Sequence, residues 1–290
     1  MQQRQFFKTE SDFYRACTQS GTLQRIYYTS NTYDEEAREI KKDALVYLPY
    51  GYDTQEKYDV FYLMHGGGGN SDEVFGGLEA KTDLKNILDH MIEKKIIRPL
   101  IVVAPSFYYE GRTDALTERK AAGLLTQNFH QELIRDLLPA IEAEFSVKQG
   151  REHRAFGGYS MGSEATWNVF AKCLDSFQYF LPMSGDCWAV KIQGGLLCPQ
   201  ETVDYLENAV KKAGKAKEEY QLLVCVGDDG VAYKAVDTMV HEMRKRKEYF
   251  DFGESFESGN MIYCVAEGGT HSYEYCYQYI RCALPHFFTK

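Results

Sequence analysis

The stretch RAFGGYSMGSEATW, residues 154–167, decides the fold class of this chain. An apolar run, Ala155–Gly158, leads directly into the segment around Ser160, and an amphipathic run follows it. A G-x-S-x-G pattern between a strand and a helix is typical of a nucleophile elbow, a sharp turn that exposes the serine. Gly158 and Gly162 suit such a turn because larger side chains there would clash. The alternative interpretation is a serine that caps a helix after a tight turn.

Apolar runs of strand length alternate with amphipathic stretches of helix length along the whole chain. Strands are predicted at Ala44–Leu48, Val60–Met64, Leu100–Ala104, Ala155–Gly158, Tyr179–Met183, Leu222–Val226 and Met261–Ala266. Helices are predicted at Asp83–Lys95, Asn128–Glu144, Ser163–Leu174, Val203–Lys212, Ala235–Tyr249 and Ser272–Phe288, the last interrupted near Pro285. Continuous Val, Ile and Leu runs indicate strands that are covered on both faces.

This alternation predicts a three-layer α/β fold with a mostly parallel central sheet. An earlier segment, Arg25–Tyr33, precedes Ala44–Leu48 across a charged turn, and together they predict an antiparallel edge. No repeat, low-complexity stretch or Pro/Gly/Ser-rich linker divides the 290 residues. We therefore expect one domain spanning residues 1–290.

The charge balance limits the partners of the chain. Its formal net charge is −9, and its one basic run, Arg244–Lys247, lies between glutamates in a predicted helix. A protein that binds phosphates usually has the opposite balance, so we expect no nucleic-acid partner. No apolar run approaches the length of a membrane span, so we expect no membrane partner either.

Cysteine use and the N-terminus bear on the compartment. Eight cysteines are scattered without a C-x-x-C pair, which indicates thiols in a reducing compartment rather than a disulfide framework or a zinc site. The N-terminal residues lack the apolar segment of a signal peptide. We expect a cytoplasmic protein without metal or cofactor, although removal of a leader would leave secretion open. The sequence leaves the choice between a monomer and a homodimer open.

A serine nucleophile needs a base, and His271 is the strongest candidate among the seven histidines. It lies in EGGTHSYEY, directly after the last predicted strand. In the chain order of α/β-hydrolases the histidine comes last, on a loop in this position. The alternative is a histidine that caps a helix or lies on the surface.

A run of four glycines follows His65 and the predicted strand before it. Their amides are unshielded by side chains, so the loop suits an oxyanion donor. We assign that role to the N–H of Gly67, with the N–H of Met161 as the second donor. A phosphate-binding loop would require G-K-[ST], which is absent here, and a flexible turn is the remaining alternative.

The acid that orients the histidine is the least defined member of the site. Asp228 and Asp229 follow the strand that ends in LLVCV, and Asp186 follows the strand before it. Either strand end can place a carboxylate near the histidine. Each of these aspartates could equally serve as an ordinary turn residue.

The chain resembles a known family at this point. The segments HGGGGNSDEVF, IIRPLIVVAPSF, REHRAFGGYSMG, PMSGDCW and GGTHSYEY occur in this order, with similar spacing, in feruloyl esterases of carbohydrate esterase family one. The resemblance runs from about Ala44 to the C-terminus. Esterase-D-like hydrolases and bacterial mycolyltransferases share the wider superfamily.

The resemblance implies an α/β-hydrolase that cleaves hydroxycinnamoyl esters of plant cell-wall arabinoxylan. It implies Ser160 as nucleophile, His271 as base and an aromatic-lined pocket near Trp188. The position at which the family has its acid is Gly230 in this chain, so the usual aspartate is missing there. Asp229, one residue earlier, is our choice for the acid, followed by Asp228 and Asp186.

Aromatic residues near predicted strand ends suit a phenolic substrate. Tyr108 and Trp188 are the candidates for stacking on the ring. The expected partner is a small-molecule or oligosaccharide ester such as a feruloylated arabinoxylan fragment. An acetyl-xylan or other short-chain acyl esterase is the nearest alternative function. A non-catalytic carbohydrate- or phenolic-binding protein on the same scaffold is the alternative from another class.

Overall fold

A computed structural model describes residues 4–5, 8–110 and 118–289 of the chain. Within them, nine strands form one sheet in the order β1-β9-β8-β7-β6-β4-β5-β3-β2. The strands are β1 (Arg4–Gln5), β2 (Thr22–Asn31), β3 (Glu39–Leu48), β4 (Asp59–Met64), β5 (Leu100–Ala104), β6 (Arg154–Tyr159), β7 (Tyr179–Met183), β8 (Gln221–Gly227) and β9 (Met261–Ala266). All neighbouring pairs are parallel except β2–β3 and β3–β5. The mostly parallel sheet and its antiparallel edge are therefore confirmed.

Eight α-helices follow or connect these strands in the described residues. They are α1 (Leu84–Glu93), α2 (Arg119–Glu132), α3 (Leu138–Glu144), α4 (Met161–Lys172), α5 (Gly194–Leu197), α6 (Pro199–Ala213), α7 (Tyr233–Met243) and α8 (Tyr273–Ala283). Parallel strands need crossovers, and the helices supply them while covering the sheet.

Two hydrophobic cores lie on opposite faces of the sheet. Along β4, Val60 and Tyr62 belong to one core, whereas Phe61 and Leu63 belong to the other, because successive side chains of a strand point to opposite faces. Helices α2, α3, α4, α6 and α7 contribute to the first core, and α1 and α8 contribute to the second. This is the three-layer arrangement that the apolar strands predicted.

Each predicted strand matches or lies within an observed one, apart from Arg25–Tyr33, which is displaced by two to three residues relative to β2. The expected helix Asn128–Glu144 differs more. It begins earlier, at Arg119, and a wide turn at Leu133–Leu137 with π-type hydrogen bonds separates α2 from α3. Pro139 lies in the first turn of α3 and has no N–H to donate, so a regular α-helical ladder cannot run through it.

Two further differences concern helix ends. The expected helix Ala235–Tyr249 ends at Met243, and Arg246 beyond it forms ion pairs with Asp204, Glu207 and Glu242. The predicted interruption near Pro285 is confirmed, because α8 ends at Ala283 and a short 3₁₀ turn follows.

The cysteines and the helix lengths complete the description. No two of the eight cysteines, all in the described residues, form a disulfide, and six of them are buried. Among the helices of these same residues, none combines the length and the apolar character needed to cross a membrane.

Candidate active site

Ser160 occupies a strained turn between β6 and α4. It is the single residue between the two elements, and its backbone angles are φ 56° and ψ −116°. A side chain in this region costs about 1–3 kcal/mol unless the surroundings enforce it. One hydrogen bond helps to hold Ser160 in this conformation: its N–H donates to the Met183 carbonyl at 2.8 Å and connects the turn to β7. The sequence pattern thus becomes a nucleophile elbow.

The elbow depends on glycines because backbone contacts close it. A Cβ on Gly158 would lie 2.3 Å from the Gly162 carbonyl oxygen. A Cβ on Gly162 would lie 2.5 Å from the Met64 carbonyl oxygen, at the end of β4. Neither position admits a side chain without moving the backbone, so the G-x-S-x-G spacing is a packing requirement of this turn.

His271 lies between β9 and α8 and meets Ser160. The distance from its Nε2 to Ser160 Oγ is 2.9 Å. The ring packs beside Tyr159, with the ring centroids 4.9 Å apart. Burial lowers the pKa of His271 below its ordinary value. The imidazole is therefore neutral near pH 7 and can accept the serine proton.

The other nitrogen of the His271 ring, Nδ1, lacks a hydrogen-bond partner among the residues that the structure describes. His271 Nδ1 is buried and has no hydrogen-bond partner in the described part of the chain. If Nε2 accepts from the serine hydroxyl, Nδ1 carries the proton of the neutral ring. A buried N–H without an acceptor costs about 1–3 kcal/mol. The site therefore pairs a serine hydroxyl with an imidazole whose other nitrogen contacts no carboxylate within the described ranges.

The structure does not bring the three candidate aspartates to His271. Asp228 accepts a hydrogen bond from the Gly268 N–H at 2.7 Å, on the loop that precedes the histidine. Asp229 is exposed, and its own N–H donates to the Gly269 carbonyl. The turn after β8 therefore directs one carboxylate to the neighbouring loop and the other to solvent. This geometry does not support the expectation that Asp229 orients the base.

Asp186 has a different task. Its Oδ1 accepts from the indole N–H of Trp188 at 2.9 Å, and its Oδ2 accepts from the Gly195 N–H at 2.8 Å. Both carboxylate oxygens are therefore occupied in holding the loop after β7. Burial raises the pKa of Asp186, and these two hydrogen bonds oppose that shift.

Gly230, at the position where the resemblance implies the acid, lies close to His271 in space. A Cβ built on Gly230 would lie 3.5 Å from the backbone nitrogen of His271 and 3.1 Å from the Gly227 carbonyl oxygen. A side chain at this position would thus start beside the histidine with only modest crowding. The turn brings position 230 close to His271. The carboxylate is therefore missing because residue 230 is a glycine, and not because the turn lies elsewhere.

The glycine loop after β4 is held by buried polar contacts. His65 Nε2 lies 2.7 Å from Ser106 Oγ, and Nδ1 lies 2.6 Å from the Gly66 carbonyl oxygen. Burial lowers the pKa of His65 to about 4, so the ring stays neutral. His65 therefore positions the loop and takes no part in the contact with Ser160.

Two tyrosine hydroxyls fix the amides on either side of Gly67. The Gly66 N–H donates to the Tyr273 hydroxyl at 2.8 Å, and the Gly68 N–H donates to the Tyr108 hydroxyl at 3.0 Å. The Gly67 N–H makes no hydrogen bond within the described residues. It is therefore available to a substrate oxygen while its neighbours are not.

Met161 supplies the second amide of this corner. As the first residue of α4, it has an N–H with no acceptor inside the helix. Its side chain lies against Gly67, because a Cβ on that glycine would be 2.8 Å from Met161 Sδ. The two residues chosen from the sequence as donors are thus in contact, and Met161 directly follows Ser160.

A cavity of about 240 Å³ opens in front of Ser160 and His271. Trp188 lies in its wall, as the sequence predicted. The other lining residues are Arg119, Met161, Glu164, Ser184, Gly185, Asp186, Gln193, Val231, Ala232 and Ala235. Tyr108 is not in this wall; its ring packs against His65, and its hydroxyl supports the glycine loop.

Sequence reasoning missed two residues of the site. Tyr273, two positions after His271, anchors the oxyanion loop, and its place in GGTHSYEY was the only signal. Glu164 follows Ser160 by one helical turn and is buried in the cavity wall. A glutamate in the first turn of a helix ordinarily indicates a solvated position, so the pattern concealed it.

One group of metal-type ligands occurs in the described residues, away from this cavity. Cys17, His90 and Glu93 offer ligand atoms within 4.8 Å of one another. Glu93 already accepts from the Thr18 hydroxyl, and His90 Nε2 lies 3.1 Å from the Arg15 carbonyl oxygen. None of the three lines the cavity at Ser160.

Comparison with known proteins agrees with this geometry. The Esterase family model, described as "Putative esterase", matches residues 37–287. The chain is 35% identical over 294 residues to endo-1,4-beta-xylanase Y of Acetivibrio thermocellus, covering 98% of this chain and 25% of that protein. It is 31% identical over 202 residues to an endo-1,4-beta-xylanase/feruloyl esterase of Xylanibacter ruminicola, covering 67% and 25%. The chain thus spans about a quarter of the length of these curated relatives.

Solved structures give the same result. A serine-to-alanine mutant of the feruloyl esterase module from Clostridium thermocellum, complexed with sinapinate, superimposes with a TM-score of 0.84 at 34% identity, covering 99% of this chain and 95% of that chain. A ferulic acid esterase of carbohydrate esterase family one from Anaeromyces mucronatus has a TM-score of 0.70 at 20% identity, with 98% of each chain covered, a likeness of fold. The α/β-hydrolase fold and the resemblance to feruloyl esterases are confirmed. The chain belongs to the Esterase family.

Proposed function

We propose that the chain is a serine carboxylic ester hydrolase that releases hydroxycinnamoyl groups, such as ferulate, from arabinoxylan-derived sugars. The 2.9 Å contact between Ser160 Oγ and His271 Nε2 at a strained elbow is the observation that supports hydrolysis best. The printed names of the relatives, which include feruloyl esterase, support the choice of acyl group. The proposed substrate partner is a small-molecule or oligosaccharide ester.

Acylation begins at Ser160. His271 Nε2 takes the hydroxyl proton as the serine oxygen attacks the ester carbonyl carbon. The carbonyl oxygen becomes an oxyanion, which accepts hydrogen bonds from the Gly67 and Met161 amides. His271 then donates its proton to the leaving sugar oxygen, and the acyl group stays on Ser160.

Deacylation repeats these roles with water. His271 removes a proton from the water that attacks the acyl carbon, and the oxyanion uses the same two amides. The proton returns to Ser160 Oγ as the carboxylic acid leaves. Apart from the substrate and one water molecule, these steps use protein groups only, so the proposal includes no metal or cofactor.

The proposed base works without a carboxylate in contact. The imidazolium that forms in each transition state has no described acceptor at Nδ1, so its charge is less well stabilised than in a complete triad. Replacing the orienting aspartate of a Ser-His-Asp triad by asparagine lowers kcat by about 10⁴-fold. We therefore propose a Ser160–His271 dyad whose turnover is slow for this fold.

Substitution of Ser160 by alanine tests the proposal. Loss of the serine from an intact triad costs about 10⁶-fold, loss of the acid alone costs about 10⁴-fold, and the two effects are not additive. From a dyad we therefore expect hydrolysis of methyl ferulate to fall by about 10²-fold, while circular dichroism and the melting temperature change little. The matched control is Ser258→Ala, in an exposed turn away from the cavity, which should keep wild-type rates. Wild-type rates in Ser160→Ala would overturn the assignment. Wild-type activity on a short acetyl ester but not on methyl ferulate would instead indicate a short-chain acyl esterase.

The unpartnered Nδ1 of His271 also favours a second candidate, a non-catalytic phenolic- or carbohydrate-binding protein. Labelling with a fluorophosphonate distinguishes the two. The esterase proposal predicts covalent modification of Ser160 and none in Ser160→Ala. Binding of ferulate without any labelling would support the non-catalytic protein.

Three expectations from the sequence stay predictions. They are the single domain of residues 1–290, the cytoplasmic location and the choice between monomer and homodimer. Limited proteolysis, cell fractionation and light scattering test them in turn.

A further inference from the structure

Glu164 is a buried acid in the substrate cavity that the proposed mechanism does not use. It lies on α4 one helical turn beyond Ser160, and the same cavity is lined by both side chains. The residue is 3% exposed, and its Oε2 is buried without a hydrogen-bond partner among the described residues. Buried side-chain oxygens are normally paired. A carboxyl left unpaired in the wall of a cavity is therefore suited to a ligand.

Two ionisable groups act on Glu164 from the elements packed around it. Burial raises the pKa of Glu164 well above its ordinary value, Asp186, after β7, adds to this shift, and Arg119, at the start of α2, opposes it. The oxygens of Asp186 accept from Trp188 and Gly195, and Asp186 makes no hydrogen bond to Glu164 Oε2. His271, after β9, lines the same cavity.

A neutral carboxyl offers chemistry that a carboxylate does not. Its O–H donates one hydrogen bond, and its carbonyl oxygen accepts another. The carboxyl group thus presents a donor and an acceptor side by side. A ring with a hydroxyl and a methoxy group on adjacent carbons presents the complementary pair, because the hydroxyl donates and the methoxy oxygen accepts.

The position of Glu164 suits the far end of an acyl group. When the ester carbonyl carbon lies at Ser160 Oγ, the acyl chain extends into the cavity. Four residues of α-helix advance about 6 Å, and the side chain of Glu164 lines the same cavity as Ser160. The aromatic ring of a hydroxycinnamoyl group lies beyond a propenoyl linker, so its oxygen substituents reach further than a short acyl chain could.

We propose that Glu164 is the specificity-determining residue for the acyl ring, donating a hydrogen bond to a methoxy oxygen and accepting one from the adjacent phenolic hydroxyl. This inference rests on the proposed esterase function and deepens it. It assigns the selectivity for substituted rings to one side chain on the nucleophile's own helix. Trp188 would then provide the apolar contact with the ring face.

Methyl esters of ferulate, 4-hydroxycinnamate, 3,4-dimethoxycinnamate and unsubstituted cinnamate test the proposal, because none contains a sugar. We expect wild-type kcat/KM to be about ten- to a hundredfold higher for ferulate than for cinnamate. In Glu164→Leu this ratio should fall to near one, whatever the change in the absolute rates. Glu164→Gln retains a donor and an acceptor and should keep most of the preference. Glu201→Leu, on an exposed face of α6, is the matched control.

The pH dependence separates recognition from a purely structural role. The wild-type preference for ferulate should decline as pH rises and Glu164 loses its proton, because a carboxylate cannot donate to the methoxy oxygen. Glutamine does not titrate, so the preference of Glu164→Gln should stay constant over the same range.

The possible failures are distinguishable. An unchanged ferulate-to-cinnamate ratio in Glu164→Leu, or an equal loss on all four esters in Glu164→Gln, would overturn the role of Glu164. An effect confined to feruloylated arabinose, absent from the methyl esters, would overturn it as well and locate the contact at the sugar. A wild-type protein that hydrolyses acetyl esters but none of the four cinnamates would overturn the proposed function itself.

Discussion

The turn after β6 and the turn after β8 lie at the same end of the parallel sheet, yet only the first brings a side chain to His271. The first holds Ser160 in a strained conformation with its hydroxyl 2.9 Å from Nε2. The second contains GDDG, and none of its side chains contacts Nδ1. The two nitrogens of one imidazole thus lie in unequal surroundings.

This difference shows that the parts of a catalytic triad are separable in structure. The elbow requires interlocking backbone contacts at Gly158 and Gly162, so it is fixed by packing. The turn after β8 approaches the His271 loop just as closely, since a Cβ on Gly227 would lie 2.1 Å from the Gly269 carbonyl oxygen. The turn therefore keeps its close packing, while Gly230, which lies beside the histidine, has no side chain.

Among the variants that alter these two turns and their loops, Gly230→Asp should change kcat the most. A carboxylate beside Nδ1 would accept its N–H and stabilise the imidazolium, so we expect kcat on methyl ferulate to rise by about ten- to a thousandfold. The gain should stay below the 10⁴-fold of an evolved triad, because the new side chain is not held by its own partners. Steady-state kinetics measure the gain, and Gly230→Asn is the control that supplies no charge. Equal rates in wild type and both variants would mean that Nδ1 is already satisfied during turnover.

Removing the hydroxyl of Tyr273 should have the next largest effect. Tyr273→Phe leaves the Gly66 N–H without its acceptor and loosens the loop that presents Gly67. We expect kcat to fall about tenfold with KM little changed, because the loop acts on the transition state. Tyr27→Phe, on the exposed face of β2, is the control. If both variants match wild type, the hydroxyl does not position the loop.

The acid limb of the pH–rate profile reports the pKa of His271, which depends on what its Nδ1 contacts. The neutral form of His271 is the active one, so kcat/KM falls as pH decreases through its pKa. Burial lowers that pKa, and activity should persist to a lower pH than an ordinary histidine, with a pKa near 6.5, would allow. In Gly230→Asp the added negative charge raises the pKa, so the limb should move to higher pH. A limb at or above the ordinary value in wild type would contradict the buried, unpaired base.

The smallest effect should come from the aspartates of the GDDG turn. Asp228→Asn and Asp229→Asn remove carboxylates that are exposed and do not contact His271. We expect kcat within about threefold of wild type for both, since removing a functional triad acid costs about 10⁴-fold. A loss of more than a hundredfold in one variant would identify an acid that reaches the histidine only when substrate is bound.

The sequence was sufficient to predict the parts of the site that are marked by a short motif or by their order along the chain. A strand, two glycines and a helix around Ser160 determine the elbow, because backbone clashes leave few alternatives. The histidine after the last strand and the glycines after β4 were identified by their order along the chain. Each of these features depends on residues close together in sequence.

The parts that failed depend on distant contacts. Tyr108 follows a strand end and was expected in the substrate pocket, but its hydroxyl is used by the Gly68 amide. Asp186 follows a strand end and was a candidate for the acid, but its oxygens accept from Trp188 and Gly195. Gly68 lies 40 positions from Tyr108. Trp188 lies only two positions from Asp186, but no sequence pattern indicates that these two side chains pair.

The sequence by itself determined the three-layer fold and the places of Ser160 and His271 in it. It also has a glycine at position 230, where the resemblance implies an acid, but the choice of Asp229 instead is not supported by the structure. Apolar periodicity and glycine sterics are local properties, so one chain suffices to read them. Only the tertiary structure decided that Nε2 of His271 contacts Ser160, while Nδ1 has no partner among the described residues. Only the tertiary structure also decided that Glu164 lies buried in the cavity wall. Burial and hydrogen-bond pairing depend on elements brought together from distant parts of the chain, which no local pattern records.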